Sequence, residues 1–120
     1  MSEQLPPRHE ATDEADAAAL RTRLRRLANE EFPAVARSAP GYPIYLNHCF
    51  LRVVYDNLFD RPWREVLRGK EPAVQQLDAR QLREAVALGE AIRDDPALCR
   101  DLNARSLELR GKVGPRRAKT

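Results

Sequence analysis

Between Pro43 and Phe59 the chain reads PIYLNHCFLRVVYDNLF, and this run limits the possible folds more than any other part of the sequence. If it coils, Ile44, Leu46, Phe50, Leu51, Val53, Val54 and Leu58 cover much of its circumference, and a helix apolar on most sides has to be packed inside others. Ile44, Tyr45, Val53 and Val54 also favour strands, and a short apolar run is ambiguous by periodicity alone. Length decides for a helix, as does the absence of apolar and polar alternation. No second strand-like run exists for it to pair with, and a lone strand is unstable. The sequence therefore predicts a central helix that starts either at Pro43, as a first-turn residue, or at Asn47, as an N-cap.

Breakers divide the rest into helix-sized pieces. Upstream of the SAPGYP cluster at 38–43, DEADAAALRTRLRRLANEEF carries Leu20, Leu24 and Leu27 on one stripe, predicting a first helix from Thr12 or Asp13 that ends near Pro33 or frays toward Ser38. Downstream, FDRPWREVLRG predicts a short third helix with Asp60 as cap, Pro62 in its first turn and Gly69 as terminator. After the connector KEPAVQQL, Asp78 followed by Gln81 forms a capping-box pattern that opens a fourth helix. Its inner face would be Leu82, Val86, Gly89 and Ile92 or Arg93, with Gly89 reporting the close approach of another helix. Asp95 and Pro96 restart the chain as a fifth helix with two stripes: Leu98, Leu102, Arg105 and Leu109 on one, Cys99, Asn103, Ser106 and Arg110 on the other. The expected fold is all-α, a compact five-helix bundle-like single domain over residues 12–111. A flexible N-terminal segment, 1–11, and a basic flexible tail, 112–120, would flank it.

Composition narrows the function classes. A 120-residue chain with 42% hydrophobic residues suits one domain with one core. No window approaches the roughly 18 consecutive apolar residues of a membrane span, and the first residues lack the apolar core of a secretory signal, so the expectation is a cytoplasmic protein without a membrane partner. The net charge of +3 is a property of the C-terminal end: residues 110–120 hold five of the 21 basic and none of the 18 acidic residues, leaving residues 1–109 at −2. That body lacks the broad basic face of a duplex-DNA binder. Cys49 and Cys99 lie too far apart for CxxC metal spacing, and a Cys2His2 site would have to draw on His9 as well as His48, so no metal site is expected and the thiols are read as reduced.

The chemistry-bearing residues gather on the central helix. At helical spacing, His48, Arg52 and Tyr55 fall at i, i+4 and i+7 and share one edge. An imidazole, a guanidinium able to hold a carboxylate bidentately and a phenol together suit anion binding or acid/base work. Adjacent helical residues point about 100° apart, so Cys49 and His48 do not form a nucleophile and base pair. No glycine-rich phosphate loop, GxSxG elbow or HExxH motif is present.

The segment YPIYLNHCFLRVVYDNLFDRPW, residues 42–63, together with the closing LNARSLELRGK, resembles a set of short bacterial proteins, some of which carry a GNAT-type acetyltransferase label. The likeness covers residues 42 to about 112, and NHCFxR and LNARSL are its most distinctive pieces. It implies acetyl transfer on a mixed α/β fold, with an R/QxxGxG/A loop holding the acetyl-CoA pyrophosphate. This sequence has neither strand-like runs nor that loop, so no catalytic residue is carried over.

Whether the chain is an enzyme is left open, and no cofactor is indicated. The leading expectation is a binding module that takes a protein partner or a small anionic ligand, with His48, Arg52, Tyr55, Asn103 and Trp63 as the binding residues. A small transferase with His48 as base and Arg52 holding an anionic substrate is the alternative. Nucleic-acid binding through the basic tail is the third reading.

Overall fold

A proline inside a helix removes one N–H donor and pushes its ring against the carbonyl four residues back. Pro33 does this in the first element, and the chain answers by widening one turn rather than stopping. In the computed structural model, which describes residues 5–111 with side chains over 14–111, α1 (Leu5–Arg26) passes through a π-helical turn (Leu27–Glu31) into α2 (Phe32–Ser38). The Phe32 N–H donates to the Leu27 carbonyl, five residues back, which accommodates the proline. Of the two endings expected for this helix, the one at Ser38 is observed. Its start lies at Leu5, ahead of Thr12, with Pro6 and Pro7 in the first turn, where a missing N–H costs nothing. The expectations for residues 1–4 and for the tail at 112–120 fall outside the described residues.

The central helix, α3 (Asn47–Phe59), begins at the later of the two expected positions. Leu46, extended, is its N-cap, and Asn47 is the first helical residue. The Asn47 side chain donates instead to Asn29 Oδ1 on the π-helical turn, at 2.8 Å. The predicted third helix is shorter than expected. Asp60 adopts the left-handed conformation (φ 61°) and terminates α3, so it is not the cap of a following helix. Only one 3-10 turn (Trp63–Glu65) follows, and a further single turn, α4 (Ala73–Gln76), forms inside the expected connector.

The last two helices, α5 (Ala79–Asp94) and α6 (Pro96–Leu109), start where the sequence placed them. Gln81 N–H donates to Asp78 at 2.8 Å while the Asp78 N–H donates to the Gln81 side chain at 2.9 Å, completing the capping box. Asp95 accepts from the Ala97 and Leu98 N–H groups. Counting the N-terminal rod once, the described residues contain five α-helices and no strand, an all-α fold. Among them no helix is long and apolar enough to cross a membrane.

α1 packs along α5, and the ion pairs Asp16 with Arg83 and Arg23 with Glu90 show that the two run in the same direction. Glu31 on the π-helical turn accepts from Arg23 and Arg93, and the Arg23 hydrogen bond holds its carboxyl below the usual range. α3 lies across α5 and α6, as its apolar circumference requires. The core joins Leu24, Leu27 and Phe32 to Phe50, Val53 and Val54 of α3 and to Leu82, Ala85 and Ile92 of α5. The Phe32 and Phe50 rings stack with centroids 4.6 Å apart.

The fifth helix turns its two stripes in an unexpected way. Cys99 and Ser106, from the polar stripe, are fully buried, whereas Leu98, Leu102 and Leu109 are only half-buried and Arg105 is exposed. The helix gives its polar face to α3 because the groups that need it are there, as described below.

Gly89 faces Phe50, and a Cβ built on it would lie 3.0 Å from Phe50 Cζ and 3.4 Å from Leu27 Cδ1. Both neighbours are fully buried and have little room to retreat. Gly89→Ala gains about 1 kcal/mol of helix propensity but overpacks this contact. The expected net result is a loss of about 1–2 kcal/mol, read as a lower urea midpoint at unchanged slope.

Candidate functional site

A buried carboxylate on an apolar helix must collect donors, and Asp56 collects four. It is fully buried on α3. Its Oδ2 accepts from Ser106 Oγ at 2.7 Å and Arg110 Nε at 2.5 Å. Its Oδ1 accepts from the second Arg110 nitrogen at 3.1 Å and from the Trp63 backbone N–H at 2.8 Å. This explains why α6 presents its polar stripe inward. One carboxylate thereby holds the end of α6 and the turn that carries Trp63.

One turn earlier on α3, the half-buried Arg52 donates to Ser106 Oγ and to Asn103 Oδ1, both at 2.8 Å. Ser106 spends its hydroxyl proton on Asp56, so toward Arg52 it can only accept. Both partners of Arg52 are neutral, and among the described residues Arg52 forms no ion pair. Asp56, the carboxylate nearest to it in this network, is paired with Arg110 instead.

Arg52 also borders a pocket of about 320 Å³. α1 and its π-helical turn provide Leu24, Arg25, Ala28 and Asn29. α3 provides His48, Leu51, Arg52 and Tyr55. Trp63 and the stretch Pro72, Ala73 and Val74 close the far side. The wall is mostly apolar and aromatic. Its charged or chargeable members other than the Tyr55 phenol are Arg25, Arg52 and His48, with no Asp or Glu among them.

The aromatic members are fixed by mutual packing. The Trp63 ring meets Tyr55 edge-on with centroids 5.6 Å apart, and the Arg64 guanidinium lies 4.9 Å from the indole centroid. Tyr55 is buried, which pushes its phenol up to about 12, with Arg25 the only opposing influence. Its hydroxyl has no hydrogen-bond partner among the described residues. Asn29, bonded to Asn47, ties the π-helical turn to the start of α3 at the pocket wall.

Of the five residues expected to bind, His48, Arg52, Tyr55 and Trp63 border this one pocket. Asn103 does not line it. It sits behind Arg52 and holds the guanidinium in place. Asp56 was not singled out from the sequence, although an unexplained acid four residues after Arg52 on an apolar helix was the available signal. Arg25, Asn29 and the Pro72–Val74 wall come from distant segments and had no such signal.

Neither cysteine lines the pocket. Cys99 is buried, which pushes its thiol up to about 11, and Cys49 packs against the core. Among the described residues no group of three or more His, Cys, Asp or Glu side chains is placed to hold a metal ion. No known protein family, curated protein or solved structure matches this chain.

Two outcomes follow from this geometry. Asp56→Ala strands Arg110 and frees the Trp63 turn, and is expected to cost about 3–5 kcal/mol in urea unfolding. A Tyr55 phenol raised from 10.0 in the unfolded chain to about 12 in the fold contributes stability that is complete below pH 10 and is lost as pH rises toward 12. Tyr55→Phe should flatten that alkaline loss while leaving neutral-pH stability within about 1 kcal/mol, since no hydrogen bond is broken.

Proposed function

We propose that this protein is a binding module for a small amphipathic anion, an apolar or aromatic body carrying one carboxylate or similar group. The carrying observation is Arg52: a half-buried guanidinium on the pocket wall, held by two neutral acceptors and lacking a counter-ion among the described residues. A buried or half-buried cation without a partner is costly, and a ligand anion would supply the missing charge. Arg25 adds positive potential at the same pocket, and no lining carboxylate opposes it. The apolar wall from Leu51, Tyr55, Trp63 and Val74 would take the body of the ligand. The volume lies at the small end of the range for ligand pockets, which favours a compact molecule.

A catalytic role for His48 has less support. A general base is normally oriented by a second group, and His48 is exposed with no hydrogen-bond partner among the described residues.

The test uses two probes of one shape, naphthalene-2-carboxylate and its neutral amide, titrated calorimetrically. The carboxylate is expected to bind saturably and about tenfold or more tighter than the amide, the scale of one charge-assisted hydrogen bond. Arg52→Gln should remove most of that preference and Arg25→Gln part of it. Equal binding of the two probes, or no saturable binding of the carboxylate, contradicts the reading.

A further inference from the structure

Arg110 does not border the pocket at which anion affinity is proposed. We propose that Arg110 sets that affinity by neutralising Asp56, so that Arg52 keeps its positive charge for the ligand. The inference rests on the binding reading above and concerns how the site is tuned.

Arg52 and Asp56 stand one turn apart on the same helix, at a spacing where side chains of opposite charge ordinarily meet. Here they do not pair. The Ser106 hydroxyl lies between them, 2.8 Å from the Arg52 nitrogen and 2.7 Å from Asp56 Oδ2, and Arg110 occupies the carboxylate through two nitrogens. Two guanidinium groups therefore surround one buried carboxylate, and the one farther from the pocket holds it. Without Arg110, Asp56 would be a fully buried charge with only neutral donors, Ser106 and the Trp63 N–H. Arg52 is the adjacent cation. Its attraction to Asp56 would then compete directly with a ligand anion, because a guanidinium paired with an internal carboxylate presents little net field.

Arg110 is the C-terminal cap residue of α6. Ligand affinity is thus linked to how the end of that helix docks on α3. Arg110 acts as a positioning residue: it touches neither the pocket nor the ligand, and it determines which charge the pocket offers.

The same pair of probes decides the matter. Arg110→Gln should weaken naphthalene-2-carboxylate binding by about tenfold or more while leaving the amide within about twofold, since only the charged probe competes with Asp56. Adding Asp56→Asn to that variant removes the competing charge and should restore carboxylate binding to within about threefold of wild type. An Arg110→Gln protein that binds the carboxylate like wild type overturns the inference, as does a double variant no better than the single. Should Arg110→Gln fail to fold, Asp56→Asn alone decides: removing the competing carboxylate should raise carboxylate affinity about threefold or more above wild type with the amide unchanged, and an unchanged or weakened carboxylate affinity overturns the inference. A wild-type protein that ignores the carboxylate removes the binding reading itself, whereas a wild type that binds and an indifferent Arg110→Gln remove only this inference.

Discussion

Everything distinctive about this molecule depends on one buried carboxylate and the choice of its partner. Asp56 has no contact with solvent, sits on the most apolar helix of the chain and accepts from Ser106, Arg110 and the Trp63 backbone. Burying a charge in this way is worthwhile only when the donors are fixed, and those donors come from two other elements. The result is a clamp: α6 is held by its polar face, the loop after α3 is held by a main-chain amide, and Arg52 is left over as a cation facing a mostly apolar pocket. The bonds that hold these elements together also place that cation on the pocket wall.

The opposite wall follows from a different constraint. Pro33 would ordinarily end a helix, yet the chain widens one turn and continues to Ser38. That widened turn carries Ala28 and Asn29 to the pocket while Leu27 and Phe32 stay in the core. π-helical turns recur at functional sites because they change which residues face inward without breaking the element. In this chain the turn also carries Glu31, clamped between Arg23 and Arg93, so its geometry is held from both sides.

The sequence was most informative where one residue type dominates a local rule. Asp78 with Gln81, Asp95 before Pro96, and the leucine stripe of the first helix all read correctly because capping and periodicity are local. The alignment of His48, Arg52 and Tyr55 on one edge was legible for the same reason, since helical spacing alone places them together. The Asp60 assignment failed because an aspartate before a proline-containing segment serves equally as the cap of the next helix or the left-handed end of the previous one. Asn103, expected among the binding residues, bonds Arg52 and does not line the pocket, a placement set by how α6 rotates against α3. That rotation follows from Asp56, whose long-range pairing with residues 50 and 54 positions away leaves no local trace.

Asp56 belongs energetically to Arg110 and not to Arg52. Double-mutant cycles on urea stability measure this directly, with Asp56→Asn combined in turn with Arg110→Gln and with Arg52→Gln. The expected coupling is about 2 kcal/mol or more for Asp56 with Arg110 and under about 1 kcal/mol for Asp56 with Arg52. A larger coupling to Arg52 than to Arg110 would contradict it, because the guanidinium on the pocket wall would then already have its counter-ion.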